Sequence, residues 1–134
     1  MYKNKLLIVE NNINLGLLYE QELKEEGYDV LVTNSYDKAL ELFKQHRFDL
    51  VIIEIGKPEI NELKAFVRFL QIIGNIPIII NTGYPDYRDY FMSWFAEKFV
   101  VKSSDLSELK SKIKDCLGGN LIKDNVFEVY NNHQ

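Results

Sequence analysis

The chain reads as an α/β protein with a doubly wound, parallel β-sheet, and three observations carry that reading. Short apolar runs alternate with helix-period segments from the N-terminus to about Leu117. The central runs are continuously apolar and β-branched rather than alternating, as expected of strands buried on both faces. Four of the runs stop at polar residues: KLLIVENN (Lys5–Asn12), DLVIIEIGKP (Asp49–Pro58), IPIIINTG (Ile76–Gly83) and KFVVKS (Lys98–Ser103). Strand–helix alternation of this kind builds a parallel sheet with helices on both faces, joined by right-handed crossovers.

The elements follow in order. Leu6–Val9 is the first strand. Ile13–Glu26 is a helix with Leu15, Leu18, Tyr19 and Leu23 at helical spacing, capped by Asn12 or Asn14 and closed by Gly27. Asp29–Thr33 is a short second strand. Tyr36–Gln45 is a helix with Ser35 as its N-cap and Ala39, Leu40 and Phe43 facing inward. Leu50–Ile53 is the third strand, and a helix over Glu59–Leu70 carries Leu63, Phe66, Val67 and Leu70 on one stripe. Ile78–Ile80 is the fourth strand, Asp86–Phe95 a short aromatic helix, and Phe99–Val101 the fifth strand. Leu106–Leu117 is the final helix, capped by Ser104 or Asp105, and Gly118-Gly119 is expected to end the regular pattern. Residues 1–118 therefore read as one domain and 119–134 as a solvated C-terminal tail or linker, with a docked strand or helix as the second reading.

At 134 residues the chain is long enough to bury a core without disulfides or metals. A composition of 46% hydrophobic and 27% charged residues suits a globular domain. The net charge of −4 argues against non-specific nucleic-acid binding. The single Cys116 reads as a small apolar helix residue, and its solitude suits a reducing compartment. With neither a signal peptide nor an apolar run of membrane-spanning length, a cytoplasmic location without membrane attachment is expected.

In a parallel sheet the strand-end residues Glu10, Asn11, Glu54, Thr82 and Lys102 gather at the carboxyl edge, where open α/β sheets bind their ligands. Each also has a plainer role. Glu54 taken alone is a strand-end charge meeting solvent, and Lys102 taken alone is a solvated lysine. Opposite two acids in one crevice, Lys102 is expected to pair with one of them, Glu54 foremost. Thr82 either caps the turn after its strand or offers a hydroxyl to an oxyanion near Glu54. Pro58 shapes the loop after the third strand.

These positions resemble the receiver domain of bacterial two-component response regulators, over about Lys5–Leu117. In that family an acidic pair follows strand one, and an Asp ends strand three with a proline four residues on. A Ser or Thr ends strand four, and a Lys ends strand five. The matching residues are Glu10-Asn11, Glu54, Pro58, Thr82 and Lys102, and Phe99 falls at the family's switch aromatic. The resemblance implies a flavodoxin-like (βα)5 three-layer sandwich with strand order 2-1-3-4-5, and a signalling rather than an enzymatic role. Thr82, Phe99 and Lys102 would be the switch residues. The implied partners are a histidine kinase or an output protein. Any homodimer would use the face of the fourth helix, fifth strand and final helix, around Tyr87, Tyr90, Phe99 and Glu108.

The departures shape the functional expectation. Glu54 replaces the phosphoacceptor Asp and carries its oxygens roughly an ångström outward, a displacement that can cost about 100-fold in a catalytic step. Asn11 replaces the second acid, so Mg²⁺ would be held weakly or not at all by Glu10 and Asn11. Ser103 stands where the family commonly has a cis proline, and Glu59-Ile60-Asn61-Glu62 contains no glycine after Pro58. The expected function is that of an atypical receiver that signals through protein contacts without Asp-type phosphorylation, with no certain cofactor and at most a weakly held Mg²⁺. The alternative is a working response regulator that accepts phosphate. A small flavodoxin-like enzyme or nucleotide binder is remote, because no GxxxxGK[ST] loop is present.

Overall fold

The computed structural model describes residues 2–56, 60–84 and 98–130, the backbone alone at 98 and 119–130. The strands are β1 (Lys5–Val9), β2 (Asp29–Thr33), β3 (Leu50–Glu54), β4 (Ile78–Thr82) and β5 (Lys98–Val101). They form one sheet in the order β2-β1-β3-β4-β5, and every neighbouring pair is parallel. The doubly wound sheet and its 2-1-3-4-5 order are thus as expected. The helices are α1 (Ile13–Glu25), α2 (Tyr36–Gln45), α3 (Ile60–Ile73) and a C-terminal helix (Ser107–Tyr130). The helix expected over Asp86–Phe95, with Tyr87 and Tyr90, and Pro58 lie outside the described residues.

Alternation along each strand sends side chains to two apolar layers. Leu7, Val51, Ile53, Ile80 and Phe99 meet Ala39, Phe66 and Phe69 in one layer, packed by α2 and α3. Leu6, Ile8, Ile52, Ile79 and Val100 meet Tyr19, Leu23, Leu109, Ile113 and Cys116 in the other, packed by α1 and the C-terminal helix. Cys116 is thus a buried core residue. Leu18 departs from the expected inward stripe and is 39% exposed, because α1 turns Leu15, Tyr19 and Leu23 to the sheet instead.

Local chemistry sets the helix ends. The Asn12 side chain accepts from the Leu15 N–H and Ser35 from the Lys38 N–H, so Asn12 is the cap of α1. Gly27 closes α1 with φ +101°, a left-handed conformation that glycine adopts without a side-chain clash. The Asp105 carboxylate accepts from both the N–H and the hydroxyl of Ser107, anchoring the first turn of the C-terminal helix.

That helix does not stop at Leu117. It runs through Gly118-Gly119 to Tyr130, where the sequence predicted a solvated tail. The positive-φ glycines among the described residues are Gly27 and Gly74, so Gly118 keeps a helical φ. A glycine inside a helix costs only about 1 kcal/mol relative to alanine, which penalises a helix without terminating it.

Candidate functional site

The register of the parallel strands brings the carboxyl ends of β1, β3, β4 and β5 side by side, and with them the expected residues. Glu10 lies just past β1 with its side chain only 1% exposed. Its Oε2 accepts from the Asn12 N–H at 3.1 Å and from the Lys102 ammonium at 3.3 Å. The Lys102 nitrogen is also 3.0 Å from Glu10 Oε1, which has no hydrogen bond of good geometry. Glu54, at the end of β3, places Oε2 3.7 Å from the same nitrogen. The expected Glu54–Lys102 ion pair is present, but Glu10 is the nearer partner. The reason is geometric: Lys102 extends from β5 toward a carboxylate held in place by the Asn12 N–H.

Burial pushes the Glu54 carboxyl above the usual carboxylate range. The nearby Lys102 pulls it down, while the charges of Glu10 and Glu62 push it further up. Thr82 is fully buried; its hydroxyl donates to the Ile55 carbonyl and accepts from the Tyr84 N–H at 3.1 Å. Both bonds shape the loops after β3 and β4, which is the capping role. The Lys102 N–H donates to the Thr82 carbonyl at 2.6 Å, fixing the start of the lysine loop. Ser103 continues that loop by accepting from the Asp105 N–H.

Asn11 borders this group only beside Glu54, and Phe99 lies apart from it. Asn11 is exposed and lines a cleft of about 320 Å³ with Asn34, Ser35, Tyr36, Glu54, Asn61 and Glu62. Phe99 is 3% exposed and belongs to the core layer under α2 and α3. This corrects its expected place on a partner surface: β5 residues in register with Ile80 point into the core. Glu108, on the first turn of the C-terminal helix, is exposed.

The donor set does not suit Mg²⁺. Its one deeply buried carboxylate is already paired with an ammonium, and the neighbouring position supplies a neutral, exposed amide. Magnesium needs a near-ideal octahedron of oxygens, commonly with one or two free carboxylates. Among the described residues no group of three acidic, histidine or cysteine side chains is placed to hold a metal.

Two polar core residues were not picked out as site residues in the sequence. Asn81 and Tyr19 are each 2% exposed, and Tyr19 belongs to the apolar layer packed by α1 and the C-terminal helix. An amide inside the run IPIIINT was the available signal, since such a group needs a partner wherever it is buried.

Comparison with known proteins now bears on this arrangement. Residues 6–114 match the family model described as the response regulator receiver domain. The chain belongs to this family. The receiver is 33% identical over 115 residues to the response regulator ArlR of Staphylococcus saprophyticus, covering 84% of the chain and 52% of the relative. It is 31% identical over 126 residues to the probable transcriptional regulator ycf29 of Pyropia yezoensis, covering 90% of the chain and 56% of the relative. The chain thus spans about half the length of these relatives. Among solved structures, it resembles the response regulator TrrA of Thermotoga maritima in complex with Mg(2+)-BeF. The TM-score is 0.73 at 34% identity, over 84% of this chain and 98% of that one. A second similar structure is the complex of the histidine kinase ThkA with TrrA, with a TM-score of 0.72 at 35% identity, over 85% of this chain and 98% of that one.

Proposed function

We propose that this receiver transmits its signal through protein contacts and does not depend on phosphorylation of Glu54. The observation that supports this reading is the carboxylate already within 3.7 Å of Lys102. Glu54 supplies one negative charge there, where a phosphoryl group would add about two. The Glu10–Lys102 pair and the neutral Asn11 support it as well, because they leave little to hold a metal beside an incoming phosphate. The role is that of a signalling module, not an enzyme, in a cytoplasmic two-component pathway. Among the described residues no helix is long and apolar enough to cross a membrane. The partner is a histidine kinase, by analogy with the ThkA–TrrA complex, or an output protein.

Intact-mass measurement after incubation with acetyl phosphate and Mg²⁺ tests the reading. The unaltered protein should gain no phosphoryl group. Glu54→Asp alone should recover little, and Glu54→Asp with Asn11→Asp should recover measurable uptake. Efficient labelling of the unaltered protein at Glu54 would establish the alternative, a conventional phosphorylated receiver.

A further inference from the structure

Between β1 and α1, Asn12 bonds to the crevice on one side and to the helix on the other. Its backbone N–H donates to Glu10 Oε2 at 3.1 Å. Its side-chain Oδ1 accepts from the Leu15 N–H at 3.0 Å, and its carbonyl accepts from the Gly16 N–H at 2.9 Å. The first bond belongs to the crevice and the other two to the opening turn of α1. Gly16 seats that turn on the sheet: a Cβ there would stand 3.0 Å from Val32 Cγ1, closer than ordinary contact.

Glu10 depends on this turn for the direction of its carboxylate. Its backbone is fixed by its own N–H, which donates to the Thr33 carbonyl at 2.9 Å, but that bond leaves the side-chain torsions open. The side chain is shut off from water. Oε2 accepts from the Asn12 N–H and from the Lys102 ammonium at 3.3 Å, and the same ammonium stands 3.0 Å from Oε1. A carboxylate bonded to an N–H at the amino end of a helix gains both from the charge-assisted bond and from the helix dipole. Glu54 stands 3.7 Å from the same ammonium. A lysine head group is a point charge on a flexible stem, with no geometric preference between two acids. The donor that favours Glu10 is the Asn12 N–H.

We infer that Asn12 is a positioning residue: its N–H holds Glu10 on Lys102, and its side-chain cap makes that hold depend on the opening turn of α1. When the cap is lost the turn frays and Glu10 loses its aligned donor. Lys102 then shifts toward Glu54, the more exposed of the two acids. This goes beyond the proposed function, since it concerns how α1 reaches the lysine and not the fate of phosphate.

Trace acylation with acetic anhydride, read by peptide mass on the whole chain, tests it. The comparators are Lys5, at the opposite end of β1 and paired with Asp29, and Lys44, on α2 and paired with Glu41. Asn12→Ala removes the cap and keeps the backbone N–H. It should speed acylation of Lys102 about threefold or more, in the lower part of the factor that an N-cap is worth. Lys5 and Lys44 should react as before. Asn12→Ser supplies another capping oxygen and should return Lys102 to the wild-type rate. Glu10→Gln should speed Lys102 by itself, and adding Asn12→Ala to it should change the rate little further, because the path runs through Glu10. An Asn12→Ala variant with Lys102 at the wild-type rate overturns the inference, as does an acceleration shared by Lys5 and Lys44. So does an Asn12→Ser variant as fast as Asn12→Ala, or an acceleration that persists in full beside Glu10→Gln.

Discussion

Replacing Lys102 by methionine, which keeps most of the length of the side chain and removes its charge, isolates the ion pair at the heart of the crevice. At 3.0 Å and an effective dielectric near 20, the Coulomb attraction to Glu10 is about 5 kcal/mol before desolvation is set against it. Glu10 cannot recover that loss from water, because its side chain is 1% exposed. Removing one partner of a buried pair typically costs about 3–5 kcal/mol. The Lys102 side chain is 20% exposed and therefore partly screened, which places the expected loss near the lower end, about 3 kcal/mol. Glu10→Gln should cost less, because Lys102 keeps Glu54 and the amide oxygen still accepts from the Asn12 N–H. The double variant Glu10→Gln with Lys102→Met no longer strands the charge of Glu10 and leaves only the less buried Glu54 without its cation, so it should be more stable than the two single losses added together. Urea unfolding at pH 7, followed by circular dichroism on all four proteins, gives the coupling energy. A Lys102→Met loss below about 1 kcal/mol, or a coupling within about 0.5 kcal/mol of zero, would place the pair among weak surface contacts and refute the reasoning.

Two further outcomes are expected. The folded chain holds the Glu54 proton more tightly than the unfolded chain, because burial raises its pKa. The stability this confers is complete below the ordinary glutamate value and is lost as pH rises through the raised one. Relative to Glu54→Gln, which cannot titrate, the wild type should therefore lose stability as urea unfolding is repeated from about pH 4 to pH 7; the opposite slope would mean that Lys102 outweighs burial. We also propose that any homodimer or effector contact involves Tyr87, Tyr90 and Glu108, since tyrosines bury much area at low entropic cost. Light scattering of the wild type, Tyr87→Ala and Tyr90→Ala checks this, and a dimer indifferent to both changes would move the interface elsewhere.

The sequence by itself determined the element order and the residues that end each strand. Both depend on short-range regularities: apolar runs, helical spacing, and caps such as Ser35 and Asn12. The period of a strand or helix is dictated by its own backbone, so β2 (Asp29–Thr33) and α2 (Tyr36–Gln45) were legible to the residue. Gathering Glu10, Glu54, Thr82 and Lys102 at one edge needed only the further rule that the strands run parallel. Where local signals were weak they misled: Gly118-Gly119 looked like a stop, although two small penalties do not end a helix.

Only the tertiary structure decided which partner each side chain takes. Lys102 leans first to Glu10, 92 residues away, because strand order and burial set its distances to the two acids. Phe99 turns into the core because β5 pairs in register with β4. Asn81 comes to stand beside Glu54 because β4 pairs in register with β3. Each outcome depends on the lateral placement of elements distant in sequence, which local periodicity does not encode.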